Sequence, residues 1–172
     1  QTPNPKPQTP NPLAVLQNKI MANRHLSRSV ALQTLFEWDF RGRHNEGVKD
    51  SISRIADEFA TGMGDNSFIE ELVQNVLSKQ DDLDKIIEKA APDWPLDKIG
   101  TVDRNILRLA VYEMRHRDDI PPVVSINEAV DIAKKFSTED SGKFVNGILD
   151  KLFAEMKESG QIRKVGRGLL ES

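Results

Sequence analysis

Apolar residues along this chain recur at three- and four-residue steps rather than at alternate positions, the period of helices that bury one face. Leu26, Val30, Leu32, Leu35 and Phe36 open the pattern, with Ser27 as a candidate N-cap and Gly42 as the stop. Ile52, Ile55, Ala56 and Phe59 mark a second helix over 48–60, followed by a turn at Gly62 and Gly64. Further helices are predicted over 67–78 and 81–91, the latter ended by Pro92 and Pro95 with Trp94 as a buried lid between them. Ile106, Leu107, Leu109, Ala110, Val111 and Met114 make a wide apolar band over 102–116, which predicts a central helix. Ser125 and Glu128 read as a capping box ahead of Ile132, Ala133 and Phe136, and a last helix is predicted over 140–157. Val123 and Val124 are too short and too Pro-flanked a run to make a strand. The chain therefore reads as all-α, a compact orthogonal bundle of six or seven helices, with no heptad sustained long enough for a coiled coil.

Composition adds the flanks. Gln1 to Pro12 holds five prolines and one charge, Lys6, in a near-repeat of QTPNP. Proline fixes φ and lacks an amide donor, so 1–23 is expected to be a disordered arm, 24–158 the folded domain and 159–172 a flexible polar tail. The absence of cysteine removes disulfides and thiolate metal sites. No apolar run approaches the ~20 residues of a membrane span, so a cytoplasmic protein is expected.

Catalytic patterns are missing. There is no HExxH, no phosphate loop and no GxSxG, so neither a metal site nor a cofactor nor enzyme activity is expected. Acidic pairs such as Asp81 with Asp82 sit beside lysines or at helix ends and read as solvated charge. The net charge of −3 excludes a strongly basic field, so any nucleic-acid contact must be a local patch. Arg24, His25 and Arg28 supply one at the head of the first helix, where cations oppose the helix dipole at a cost of a few tenths of a kcal/mol each. Gln33 and Phe36 follow on the same helix; guanidinium groups suit phosphate and an aromatic or amide suits a splayed base. A second cluster is 141–147, where Asn146 and Gly147 are poor helix formers in mid-helix. Close helix packing at Gly147 and a functional role explain that defect equally well. From the residues alone, a helical protein-interaction module without RNA remains an alternative.

RHLSRSVALQTLFEWDF (24–40), VDRNILRLAVYEM (102–114) and above all IPPVVSINEAVDIAKKFSTEDSGKFVNGILDKL (120–152) together resemble the NusB family of transcription antitermination factors. The resemblance implies a non-enzymatic helical bundle that pairs with the ribosomal protein NusE. The pair would bind single-stranded boxA RNA in nascent transcripts and join the RNA polymerase antitermination complex. It implies RNA contacts at Arg24, His25, Arg28, Gln33, Phe36, Lys143 and Phe144, and partner contacts at Asp103 and Asp140. Arg24 and Arg28 are expected to share one surface with the Lys143–Phe144 turn. Monomer and homodimer are both compatible with it. It extends also to the NusB-like RNA-binding domain of ribosomal RNA cytosine methyltransferases, whose chains continue into a cofactor-binding domain that is not seen before Ser172.

Overall fold

A computed structural model describes residues 1–161. Seven α-helices are present among them: α1 Pro12–Phe40, α2 Val48–Phe59, α3 Ser67–Ser78, α4 Gln80–Ala90, α5 Thr101–His116, α6 Pro122–Phe136 and α7 Glu139–Glu158. A short 3-10 turn, Leu96–Lys98, leads into α5. Among the described residues no helix is long and apolar enough to cross a membrane. The tail expected from 159 lies, beyond 161, outside the described residues.

Helix α5 is the axis of the molecule. Every residue from Arg104 to Met114 is buried, because α1, α3, α4, α6 and α7 all pack on it. α1 runs antiparallel to it: Arg28 meets Glu113 at one end, and Asp39 meets Arg104 at the other. α6 and α7 form a close antiparallel pair in which a methyl at Gly142 would stand 2.8 Å from Lys134 Cγ. Gly147, by contrast, faces open space, so helix packing does not account for it.

Charge is carried into the core at one place. Asp39 Oδ2 accepts from Arg104 Nε (2.8 Å), Arg108 Nη1 (2.9 Å) and Asn105 Nδ2 (3.1 Å), while Oδ1 accepts from Arg43 (3.0 Å). Arg108, with no exposed surface, also reaches Asp84 Oδ1 at 2.7 Å. Burial alone would raise the Asp39 pKa, but these donors hold its carboxyl far below the usual carboxylate range.

Four sequence expectations need correction. The first helix begins at Pro12, well before Asn23, because proline is tolerated at the first helical position and 13–23 contains neither proline nor glycine. Its cap is Asn11, whose Oδ1 accepts from Leu13 N at 3.0 Å; Ser27 lies in mid-helix and its hydroxyl donates to Asn23 O. The Ser125–Glu128 pair caps nothing: α6 has already started at Pro122, Ser125 donates to Glu113 Oε2 and Glu128 pairs with His25. Trp94 is no buried lid; it is 54% exposed.

Candidate nucleic-acid and partner interfaces

The head of α1 carries the first group of site residues. Arg24 Nη2 lies 3.2 Å from Asp119 Oδ2, with about a third of its side chain exposed. His25 Nδ1 pairs with Glu128 Oε2 across to α6. Arg28 behaves differently from the expectation. It is buried, and its Nε donates to Glu113 Oε1 at 2.6 Å. A guanidinium enclosed by an internal carboxylate is withdrawn from solvent, so Arg28 is not the exposed cation that the sequence leads us to expect.

These arginines converge on one ring. Arg24, Arg117 and Arg28 lie 5.0, 5.2 and 5.6 Å from the Phe68 centroid. Each such contact is worth about 0.5–1 kcal/mol where exposed. Arg117 grips Asp119 with two hydrogen bonds, 2.8 and 2.9 Å, and reaches Glu71 at 2.6 Å. The Arg117 hydrogen bonds hold the Asp119 carboxyl far below its ordinary range despite some burial. Asp119 therefore keeps a cation whether or not Arg24 stays with it. Sequence reasoning missed Phe68, Arg117 and Asp119, since nothing local links them to Arg24.

The second group lies at the other end of α1, about 18 Å along its axis at 1.5 Å per residue. Phe36 and Phe40 stack there, centroids 5.9 Å apart and 11° from parallel. With Leu32, Phe59, Val102 and Phe136 they line an open groove of about 520 Å³, and Gln33 lies at its edge. Phe40 is 77% exposed and Phe59 53%. Glu37 holds Arg41 and Arg54 at the rim, at 2.8 and 2.5 Å. The groove was invisible in the sequence because its aromatic residues come from three helices.

Asp103, in the first turn of α5, follows the groove residue Val102. Its Oδ2 accepts from the Ser141 hydroxyl at 3.0 Å, while Oδ1 is buried with no donor. Burial pushes the Asp103 carboxyl up from its ordinary pKa, opposed by Ser141. Asp140 is exposed in the first turn of α7, whose N-cap Thr138 accepts from Ser141 N at 3.1 Å. Lys143 is exposed, and Phe144 is half-buried with its ring 5.8 Å from Trp94 at 71°.

The expected shared surface of Arg24 and Arg28 with Lys143–Phe144 is not formed. The α7 start is fixed at Asp103 and the α1 head at Glu113, opposite ends of α5 separated by about 15 Å along the helix. The structure thus presents a polar head of paired arginines and carboxylates and an apolar, aromatic foot.

Comparison with known proteins gives this arrangement its context. The NusB family model matches residues 25–154. The transcription antitermination protein NusB of Desulfitobacterium hafniense is 43% identical over 139 residues, covering 81% of this chain and 93% of that protein. Its counterpart in Bacillus subtilis is 43% identical over 136 residues, covering 79% and 98%. Among solved structures, T. maritima NusB superposes with a TM-score of 0.69 at 34% identity, covering 80% of this chain and 95% of that one. The structure of antitermination factors NusB and NusE in complex with double-stranded RNA gives a TM-score of 0.68 at 30% identity, covering 78% and 98%. With a helical bundle of the same architecture and a family match from within α1 to within α7, this chain belongs to the NusB family of transcription antitermination proteins.

Proposed function

We propose that this chain pairs with NusE, binds boxA-type single-stranded RNA in nascent transcripts, ribosomal transcripts among them, and supports processive elongation by RNA polymerase in the cytoplasm without catalysing a reaction. The observation that carries the reading is the separation of two chemically different faces. The α1 head offers Arg24 and His25 to phosphate. The foot offers an open aromatic groove beside the half-buried Asp103, whose Oδ1 lacks a donor. An apolar centre with a charged rim is what a protein partner covers. A basic partner also supplies the positive charge that a chain of net charge −3 lacks. Asp103, and Asp140 at the head of α7, would face that partner. Phe36 and Gln33, first read as RNA contacts, fit the protein-facing groove better.

Fluorescence polarization with a labelled boxA RNA tests this, with and without NusE. Weak binding alone and tighter, boxA-selective binding by the pair is expected. Equal affinity for boxA and scrambled RNA, unchanged by NusE, would overturn it.

A further inference from the structure

Helix α1 begins before the body of the molecule does. Every residue from Pro12 to Ala22 is exposed, and burial sets in only from Asn23. Asn11 caps this extension and proline stands at its first position, so its start is well made. Three turns standing free in water gain little from propensity alone; helices in proteins draw their stability from a packed face.

The extension has such a face. Leu13, Leu16 and Ile20 are exposed and fall at the helical steps that lead through Asn23 to the buried Ser27, Ala31, Thr34 and Trp38. The stripe by which α1 packs on the core thus runs on past the end of the bundle for about 18 Å, uncovered by any described residue. Residues 1–11, QTPNPKPQTPN, contain no large apolar side chain to lay over it. The helix is continuous to Phe40, so its tip does not turn back onto its own bundle.

A second copy of the chain fits in one way. Because the stripe continues the core-facing side, each bundle lies on the stripe side of its own helix. Parallel extensions would bring the two bundles into collision. Antiparallel extensions set the bundles at opposite ends, and the tip of each helix then meets the end of the other bundle. That end is acidic. Asp119 faces Arg24 at the helix base with Asp118 beside it, and Asp65 follows Met63, whose sulfur contacts the Ser27 hydroxyl. The approaching segment carries the opposite charge: 1–36 holds Lys6, Lys19, Arg24, His25 and Arg28 and no acidic side chain.

We propose that 12–23 is a self-association element, through which two copies of this chain pair their α1 extensions antiparallel, Leu16 against Ile20 across a two-fold axis. One stripe serves both copies, as in any isologous contact. Three helical turns from each copy fall short of the ~1,200 Å² of a standard interface, so the dimer is weak and concentration-dependent. The family match starts at residue 25, so the element lies outside the matched core. Phe36, in the foot groove, is about 24 Å along α1 from Ile20, so the dimer leaves both grooves open and carries two NusE. That corollary rests on the reading of the groove as the NusE site; the pairing does not.

Sedimentation velocity over about 1–100 μM, without NusE or RNA, tests the pairing. A dimer fraction that rises through this range is expected. Leu16→Glu and Ile20→Lys should each weaken pairing about tenfold or more, since each sets a charge where an aliphatic side chain is covered. Both should keep the parent's helical content, because neither residue packs within one chain. An equimolar mixture of the two variants should recover association, since the antiparallel register sets position 16 opposite position 20. NusE affinity should be unchanged in Leu16→Glu. A parent that stays monomeric throughout would overturn the proposal, and so would a dimer as strong in Leu16→Glu as in the parent. No recovery in the mixture would overturn the antiparallel register. Loss of NusE affinity in Leu16→Glu, or binding of the parent to phosphatidylglycerol vesicles in place of self-association, would give the stripe to another partner. A parent dimer that bound no NusE would uphold the pairing and remove the corollary alone.

Discussion

At the scale of single residues, two arginines one helical turn apart have opposite fates. Arg24 is partly exposed and its carboxylate partner is already held by Arg117, whereas Arg28 is enclosed with Glu113. Arg24→Ala should therefore leave stability within about 0.5 kcal/mol and reduce the RNA salt slope by ~0.7. Arg28→Ala should cost about 3–5 kcal/mol in chemical denaturation, because it removes the guanidinium that balances the charge of the buried Glu113 carboxylate. Nothing in the sequence distinguishes the two; only the packing of α3 and α5 around position 28 does. Asp103 is the reverse case: the resemblance singled it out, and its burial sets its titration. A carboxyl with a raised folded pKa binds its proton more tightly in the folded state, so its stabilising contribution is complete below 3.8 and lost as pH rises through the folded value. Asp103→Asn should melt at or above the parent at neutral pH, with the gap closing on acidification, and should bind NusE more weakly. A melting difference independent of pH would count against that account.

At the scale of elements, most helices were legible because each buries one face and repeats its apolar residues at helical spacing. The predicted span 67–78 coincides with α3, and 102–116 falls one residue inside α5. The misses share a cause. Ser27, Ser125 and Glu128 carry good local capping chemistry, yet their side chains serve tertiary partners or mid-helix carbonyls. The extension of α1 back to Pro12 was hidden by the proline-rich composition just ahead of it. The two glycines of α7 separate cleanly by environment. Gly147→Ala should raise stability by up to ~1 kcal/mol, the helix-propensity gain. Gly142→Ala should show no such gain, since its methyl meets the Lys134 stem at 2.8 Å. Equal thermal shifts in the two variants would contradict the close α6–α7 approach.

At the scale of the whole molecule, the Asp39 network ties α1, α4 and α5 together through Arg104, Arg108 and Asp84. Removing its central acid leaves two buried guanidinium groups short of countercharge, so Asp39→Asn should cost on the order of 3–5 kcal/mol. Asp39 and Asp119 both have depressed pKa values, so their stabilising contributions are present above 3.8 and are lost as pH falls through the folded values. The parent should therefore lose stability steeply in acid, whereas Asp39→Asn should start lower and fall less. Parallel pH profiles would show that the network is not the acid-sensitive element.

Helical periodicity and apolar patterning determined by themselves that this chain is an all-α bundle built around 102–116, since each helix writes its buried stripe into its own segment. The combined motifs of 24–40 and 120–152 likewise carried the family. The sites were decided only by tertiary structure. Whether Arg24 or Arg28 faces solvent, whether Phe36 joins Phe40 and Phe136 in a groove, and whether Trp94 is covered all depend on which helices meet, and that meeting joins residues tens of positions apart. Exposure and electrostatic partnership are properties of such long-range contacts, and a local pattern of residues does not contain them.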